Sequence, residues 1–226
     1  MIDLARRATD RETLDGDIPA HEALRSLRDL QFVDRWLGNR RAFTSSVLPF
    51  LADAPRPSIL DVGCGSGDVL SGLRRAAGRR AVAVGADLKL LHLTAAPADI
   101  LRVVADVRRL PFPAQSFDVV TASLFLHHFD APELPDVLRG LYALARRALV
   151  VNDLRRARVP YAFGRAFFKV LFRSPVSVSD GLISIRRGFL PRELAEAFAA
   201  AGIPGVRVRR TFPYRLVAVA ERPAGG

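Results

Sequence analysis

"SILDVGCGSGDVL" (residues 58–70) is a short apolar run that stops at a glycine and continues into a helical pattern. Gly63, Gly65 and Gly67 permit a positive φ and let the backbone approach a ligand closely. The first N–H groups of the following helix can then bind a polar or anionic group. The stretch therefore predicts a strand, a tight turn and a helix at a binding edge. A turn without any ligand stays open as the alternative, because the G-x-G-x-G spacing alone is only moderately specific.

Further apolar runs follow this first one, and most of them alternate with helical segments. They span residues 81–88, 101–107, 117–124 and 148–153, and the pattern at 131–147 predicts a helix between the last two. Continuous apolar strands separated by helices are typical of a parallel sheet that is buried on both faces. Residues 206–212 and 215–221 alternate instead, which predicts an antiparallel hairpin at one edge. We therefore predict an α/β fold.

The rest of the chain predicts helices around this sheet. Apolar residues recur at three- and four-residue steps over 20–37, and a second helical piece over 40–54 ends before Pro55 and Pro57. Residues 1–17 are polar, and we expect them to be loosely ordered. The whole span 1–226 is predicted to be one domain. Its predicted segments are an N-terminal helical cap (1–54), a ligand-binding core (55–153), a helical lid (154–190) and a closing helix with the hairpin (191–226).

Composition excludes several classes of protein. Half of the 226 residues are hydrophobic, as in a globular protein with a core, and the one cysteine, Cys64, excludes a disulfide framework. The chain has neither a secretory leader pattern nor an apolar run long enough for a membrane span, which favours a cytoplasmic protein. The formal charge of +11 comes from arginines that are scattered along the chain. A nucleic-acid partner is disfavoured, since its footprint would be a stripe on one element.

Three aspartates stand at the ends of successive strands. Asp61, Asp87 and Asp106 end or follow the first three apolar runs, at the edge where open α/β sheets bind ligands. Asp87 comes twenty residues after Gly67, where a carboxylate can accept hydrogen bonds from both hydroxyls of a ribose. Asp106 can accept one from an adenine amino group. The three carboxylates thus indicate a nucleoside-containing ligand.

With these residues the sequence resembles the class I S-adenosylmethionine-dependent methyltransferases. The matching set over 57–153 is "ILDVGCGSGD", "VGADL" and "VVADVRRLPFPAQSFDVVTASLFLHHF", and it is most similar to the small-molecule, type 11-like branch that includes the ubiquinone/menaquinone-biosynthesis enzymes. The resemblance implies a Rossmann-like, seven-stranded, mostly parallel sheet with an antiparallel last strand and helices on both faces. It also implies S-adenosylmethionine as cofactor and S-adenosylhomocysteine as product. One departure is the segment after Asp87, which is short and contains Pro97 where the family has a regular helix.

The same resemblance assigns roles to single residues. Asp61 and Gly63 would hold the methionine amino end, and Asp87 would bind the ribose. The remaining cofactor contacts would be Gly65, Gly67, Asp106, Val107 and Ser123.

Two neighbouring histidines follow the fourth strand, at the mouth of the expected cofactor cleft. Histidine suits the role of a general base, and His127 or His128 would lie near the methyl group. Adjacent side chains diverge, so at most one of them should face the acceptor; His128 is preferred. A structural or cofactor-positioning role is the alternative. A metal site is not expected, because no third ligand lies near the pair in the sequence.

The segment after the fifth strand carries candidate acceptor contacts. Asp153 and Arg155 would position the substrate, or else cap the next helix and pair with each other. A helix over 158–173 bears aromatic residues, of which Phe163 and Phe167 are candidates for lining the acceptor site; core packing is the alternative. Asp180, Arg186 and Arg187 are weaker candidates for the same cavity.

The sequence as a whole predicts a methyltransferase acting on a small aromatic, polyketide- or quinone-like acceptor, at oxygen rather than carbon. An RNA or protein methyltransferase and a non-catalytic cofactor-binding protein are the alternatives. Homodimer formation is left open.

Overall fold

The computed structural model describes residues 4–37 and 40–223. The rest of the predicted domain span, residues 1–3, 38–39 and 224–226, lies outside the described residues. The strands are β1 (Ser58–Val62), β2 (Val82–Asp87), β3 (Leu101–Val104), β4 (Phe117–Ser123), β5 (Ala145–Leu154), β6 (Arg207–Thr211) and β7 (Arg215–Glu221). The α-helices are α1 (Ala20–Leu37), α2 (Arg40–Val47), α3 (Asp68–Ala77), α4 (Leu90–Thr94), α5 (Leu134–Leu144), α6 (Arg158–Leu171), α7 (Pro175–Arg187) and α8 (Pro191–Ala200). Within these two ranges, no helix has both the length and the apolar composition that crossing a bilayer requires.

The strands form one seven-stranded sheet in the order β3-β2-β1-β4-β5-β7-β6. Strands β1 to β5 run parallel to one another, and β7 runs antiparallel to both β5 and β6. The predicted fold, including the antiparallel last strand and the hairpin, is confirmed. The strand order reverses between β1 and β4, and open α/β sheets bind ligands at such a switch point.

Helices cover both faces of the sheet. Along β1, Ile59 packs into a cluster with residues of α2 and α3, whereas Leu60 and Val62 pack on the opposite face with residues of α5 and α8. This alternation follows from the two-residue period of a strand, and it explains why the parallel strands read as continuous apolar runs. A third, smaller cluster of Phe168, Phe172 and Ile185 joins α6 to α7.

The predicted helix over 131–147 is corrected at its end. Helix α5 stops at Leu144, and β5 already begins at Ala145. The arginines at 146 and 147 therefore belong to the strand, where both guanidinium groups contact the buried carboxylate of Asp118, at 3.1 and 3.6 Å. A buried carboxylate needs such partners, which the helical periodicity of the segment does not reveal.

The expectation of a loosely ordered N-terminus is wrong for residues 4–17, which we call the N-terminal strap. Leu14 is buried. The N–H groups of Thr13 and Leu14 donate to the Asp180 carboxylate at 2.9 and 2.8 Å, and Ala8 N–H donates to the carbonyl of Arg186 at 3.2 Å. The strap thus combines many exposed polar residues with backbone N–H groups that donate to α7.

Candidate functional site

The glycine turn lies between β1 and α3, at the carboxyl edge of the sheet. Gly63 and Gly67 have φ of 66° and 70°, a region that other residues rarely adopt. A Cβ on Gly63 would lie 2.0 Å from the Phe125 ring, and a Cβ on Gly67 would lie 2.9 Å from Ile100 Cδ1. Glycine is thus required at both positions by backbone conformation and by space.

Asp87 ends β2 beside this turn. Its Oδ2 accepts a hydrogen bond from Gly65 N–H at 2.9 Å, and its Oδ1 accepts one from Lys89 N–H at 2.9 Å. His92 Nδ1 lies 3.3 Å from Oδ1. Burial alone would raise the pKa of Asp87, but the hydrogen bonds from His92, Lys89 and Gly65 lower it. The side chain is therefore a fixed carboxylate acceptor next to the glycine turn.

Asp106 stands after β3 on the same edge. Its Oδ1 accepts a hydrogen bond from Arg108 N–H at 2.9 Å and so begins the short 3₁₀ helix Val107–Arg109. Its side chain keeps 41% of its surface exposed. The carboxylate can therefore still reach a ligand, while Val107 packs partly against the core.

The end of β4 holds a conformationally unusual residue and a buried polar pair. Leu124 has φ of 54°, which turns the chain back across the sheet edge, and its N–H donates to the carbonyl of Asn152 at 2.7 Å. Asn152 Nδ2 donates to Ser123 Oγ at 3.0 Å, whereas Asn152 Oδ1 is buried without a partner among the described residues. An unpaired buried acceptor is costly, so this position favours a bound polar group.

Asp61 lies near the end of β1, with its side chain buried. Its Oδ1 accepts a hydrogen bond from Thr121 Oγ1 of β4 at 2.7 Å. The carboxylate thus links the two strands at the switch point, and its negative charge contributes, after burial, to the raised pKa of the Cys64 thiol in the turn.

The strap crosses this edge of the sheet. At one side, Lys89 Nζ donates to the carbonyls of Leu14 and Gly16, at 2.6 and 2.5 Å. At the other side, Asp180 of α7 holds the N–H groups of Thr13 and Leu14. Since Lys89 follows β2 and α7 contacts the residues after β4, residues 12–16 span the switch point. They cover the place where the sequence predicts the cofactor cleft.

His127 is buried between two carboxylates. Its Nδ1 lies 2.7 Å from Asp153 Oδ1, and its Nε2 lies 3.3 Å from Glu12 Oε1 of the strap. Burial alone would lower its pKa, but the charge and hydrogen bond of Asp153, followed by those of Glu12, raise the pKa of His127 to about 10. Burial alone would raise the pKa of Glu12, but the hydrogen bond with His127 and the charge of His128 lower this pKa to about 2. At neutral pH this group is an imidazolium held by two carboxylates.

His128 has a different environment. Its Nδ1 lies 2.9 Å from Asp15 Oδ2 of the strap, and 24% of its side chain is exposed. With Nδ1 protonated and donating to Asp15, Nε2 carries the free lone pair. Within the described ranges, no hydrogen bond to that nitrogen is formed. Asp15 thus orients the His128 ring, which stays partly exposed.

Two arginines fix the loop that carries these histidines. Arg187 Nε donates to the carbonyl of His127 at 2.7 Å, and its Nη2 donates to that of His128 at 3.0 Å. Arg7 of the strap donates to the carbonyl of Phe129 at 2.9 Å and lies over the Phe189 ring. Burial lowers the pKa of Arg7 to about 10. The histidine loop is thus clamped between the strap and α7.

Comparison with known proteins agrees with this geometry. Residues 59–148 match a family described as a methyltransferase domain. The match makes this part of the chain, less than half of its length, similar to a methyltransferase domain. The predicted resemblance to class I S-adenosylmethionine-dependent methyltransferases is thereby confirmed, and the ubiquinone-type branch stays a prediction. Curated protein sequences give no significant match.

Solved structures share the fold over most of the chain. A SAM-dependent methyltransferase from Aquifex aeolicus superposes with a TM-score of 0.65 at 15% identity, covering 91% of this chain and 99% of its own. The plantazolicin methyltransferase BpumL, solved with a triazolic desmethylPZN analog and SAH, gives 0.67 at 15% identity, with 86% and 90% covered. The magnesium protoporphyrin IX methyltransferase ChlM from Synechocystis PCC 6803, solved with SAM, gives 0.54 at 18%, with 93% and 88% covered. At such identities the likeness concerns the fold alone.

The predicted acceptor residues have different environments in the structure. Asp153 is fully buried and bound to His127, so it neither pairs with Arg155 nor faces an open cavity. The Arg155 guanidinium stacks on the Tyr214 ring at 4.7 Å. Phe163 and Phe167 contact each other on the outer side of α6 and are about half exposed. Contact of the two phenylalanines with an acceptor stays a prediction.

The strap brings a third possible metal ligand, Glu12, to the two histidines. Glu12, His127 and His128 each offer one ligand atom, and these atoms lie within 4.8 Å of one another. The sequence did not reveal this third group, because Glu12 lies 115 residues before His127. Both ring nitrogens of His127, however, already face carboxylates, so the protonated ring can donate one hydrogen bond to each carboxylate without a metal. The absence of a metal therefore stays our expectation.

Sequence reasoning missed the functional groups of the strap. Glu12 and Asp15 come from a polar segment with no periodic pattern, and each meets its histidine only through the tertiary fold. Leu14 is the one local signal, an apolar residue within "RETLDGD" that is buried in the structure.

A cavity of about 530 Å³ is unrelated to this site. It is lined by Arg56, Arg74, Arg79 and Arg80 at the amino ends of β1 and β2. Ligands of open α/β sheets bind at the carboxyl ends, so we assign this cavity no part in methyl transfer.

Proposed function

We propose that this protein transfers a methyl group from S-adenosylmethionine to a small aromatic, polyketide- or quinone-like acceptor, at oxygen rather than carbon. The observation that carries the proposal is the Asp15–His128 pair, in which the carboxylate contacts Nδ1 of a histidine that directly follows the carboxyl end of β4 and its turn. A hydroxyl acceptor needs one group that removes its proton as the oxygen attacks, whereas an activated carbon can attack first and release its proton afterwards.

The residues at this edge fit the cofactor. Gly63 leaves no room for a side chain, Asp87 is a fixed carboxylate at the end of β2, and the carboxylate of Asp106 remains accessible. Asn152 Oδ1 is an unpaired acceptor beside Ser123. We assign the methionine end to Asp61, Gly63 and Ser123. The other contacts are assigned to Gly65, Gly67, Asp87, Asp106 and Val107, for the turn, the ribose and the adenine.

When bound, S-adenosylmethionine supplies an electrophilic methyl group that an acceptor oxygen attacks in line. The protein itself must align the acceptor, exclude water and remove one proton. The strap is suited to exclude water, because residues 12–16 span the switch point and are tied down by Lys89 and Asp180.

We assign the proton acceptor to His128 Nε2. Asp15 orients the ring by accepting from Nδ1–H, as the carboxylate does in other histidine-based catalytic groups. His127 is suited to a different role: the cation between Glu12 and Asp153 holds the strap to β5 and carries no free nitrogen for an acceptor. Asp153 and Glu12 would be positioning residues that act through His127.

Solved relatives support a small acceptor. One is titled a plantazolicin methyltransferase and another a magnesium protoporphyrin IX methyltransferase. The cytoplasmic location remains an expectation from the sequence.

Calorimetry with S-adenosylhomocysteine and a turnover screen test the proposal. The screen uses hydroquinones, resorcinols, hydroxynaphthoquinones and bulk RNA, with S-adenosylhomocysteine release as the readout. We expect binding of the nucleoside and turnover on a hydroxylated ring. Binding without turnover on any acceptor would favour a non-catalytic protein, and methylation of RNA with steep salt dependence would favour the RNA alternative.

A histidine comparison tests the assignment of the base. His128→Gln should lower kcat by about 10²- to 10⁴-fold on the best phenolic acceptor, with the affinity for S-adenosylhomocysteine unchanged. His21→Gln is the matched control, because that side chain is 73% exposed on α1. Near-normal turnover of the His128 variant would reject His128 as the base.

A further inference from the structure

Helix α6 has an outward apolar stripe that the proposed function does not use. Its members are Val159, Phe163, Phe167 and Val170, at steps of four, four and three residues, and they are 60%, 41%, 50% and 83% exposed. These steps place them on one side of a helix. We call this set the outer face of α6. Ordinary surface helices expose such residues singly, so an aligned set indicates a contact surface.

The inner side of the same helix is already packed against α7. Gly164 and Phe168 are buried on the side that faces α7, where a Cβ on Gly164 would lie 3.0 Å from Leu182 Cδ2 of that helix. Phe172 and Ile185 complete this cluster. The outer face is therefore a second apolar surface, and burying the inner side cannot cover it.

Positive charge accompanies the outer face. Three cations on α6, at 158, 165 and 169, recur at steps of seven and four residues. They form a cationic flank that exposed Ala162 and Ala166 separate from the outer face, and Arg173 follows the helix. All four side chains are exposed, and none is paired with a carboxylate of the described residues. No Asp or Glu occurs between Asp153 and Asp180. Several arginines elsewhere do have such partners, for example Arg156 with Glu193 and Arg74 with Asp99.

We propose that the outer face of α6 docks the protein on an anionic membrane surface. Aromatic and aliphatic side chains would enter the boundary between headgroups and acyl chains, while the cationic flank meets the lipid phosphates. A second copy of this chain is a poorer occupant, because the same unpaired cations would face each other across a symmetric contact. Nucleic acid would use the charges and leave the aliphatic side chains without a partner.

Vesicle flotation tests this docking. The full chain is mixed with phosphatidylcholine vesicles, or with vesicles containing about 30% phosphatidylglycerol. We expect binding to the anionic vesicles and weak binding to the neutral ones. Arg165→Gln with Lys169→Gln should weaken binding about thirtyfold. The control pair is Arg139→Gln with Arg192→Gln on α5 and α8, which should change it little.

The apolar part is tested separately. Phe167→Ser should weaken vesicle binding about tenfold, since a buried aromatic contributes to insertion. Phe212→Ser is the matched control, because this side chain is 86% exposed in the turn between β6 and β7. Circular dichroism of each variant checks the fold.

Several results would overturn the proposal. Equal binding of the Phe167 and Phe212 variants would mean attraction by charge alone. No binding to anionic vesicles, together with a concentration-dependent dimer that Phe167→Ser dissociates, would assign the outer face to a second copy. Vesicle binding that RNA abolishes, while the Phe167 variant binds RNA normally, would assign the charged flank to nucleic acid.

Discussion

The proposed cofactor edge and the proposed acceptor side of this site are built in different ways. The cofactor edge uses strand ends and a turn from neighbouring stretches, with Gly63, Asp87 and Asp106 each directly after an apolar run. The acceptor side brings the strap to a loop more than 110 residues later, where Glu12 meets His127 and Asp15 meets His128. Binding and proton transfer should therefore respond to different mutations.

The largest expected effect is on the cofactor edge. Gly63→Val should abolish calorimetric binding of S-adenosylhomocysteine, because the new side chain overlaps the Phe125 ring and the φ of 66° is strained. Gly72→Ala is the control: a Cβ there meets nothing within 4 Å, and alanine should stabilise α3 by about 0.5–1 kcal/mol. Normal binding by the Gly63 variant would refute the assignment of this turn.

A large effect on stability is expected on the acceptor side. His127→Gln leaves Asp153 and Glu12 buried without their shared cation, which should cost about 3–5 kcal/mol. Thermal unfolding should shift down by about 10 °C. His128→Gln, at a partly exposed position, should shift it far less. Similar melting temperatures of the two variants would contradict the distinction between the neighbouring histidines.

The dependence of stability on pH should test the buried pair of His127 and Glu12. The pKa of His127 is raised from 6.5 to about 10, so its contribution is complete below pH 6.5 and is lost as the pH rises toward 10. The pKa of Glu12 is lowered from 4.5 to about 2, so its contribution is present above pH 4.5 and is lost as the pH falls toward 2. Chemical denaturation from pH 6 to 10 should show a decline that His127→Gln removes. An equal decline in that variant would assign it to other groups.

A smaller effect is expected where α7 holds the strap. Asp180→Asn keeps the shape and weakens two hydrogen bonds to backbone N–H groups, so we expect a loss of about 1–3 kcal/mol in strap anchoring. Limited proteolysis should cleave the variant faster within residues 4–17, while its affinity for S-adenosylhomocysteine stays similar. Unchanged protection of the strap would mean that Lys89 and Arg7 suffice to hold it.

The difference between the two regions also shows what sequence patterns reveal. The strands and the turn at Gly63 were predictable because the two-residue period, glycine and strand-end aspartates are local signals. The end of α5 was not, since Asp118 draws the arginines at 146 and 147 into β5. The strap was not predictable, because its hydrogen-bonding partners are distant in sequence. In the sequence alone, its polar residues look the same as solvated ones.

The roles of the two histidines illustrate the same limit. The sequence predicted both at the mouth of the cleft with diverging side chains. The divergence is wrong, because the two ring centroids lie 4.4 Å apart. Which one is buried depends on β5, because Asp153 lies beside the end of β4 in the parallel pair. That register is a property of the sheet as a whole.

Asp15→Asn offers the most direct test of the claim that the strap completes the acceptor side. Two quantities are measured on this variant: the dissociation constant of S-adenosylhomocysteine and the single-turnover rate on the best phenolic acceptor. We predict an unchanged dissociation constant and a rate about 10- to 100-fold lower, because His128 loses the carboxylate that orients it. An unchanged rate would contradict the account, as would a loss of rate that merely follows a loss of cofactor affinity.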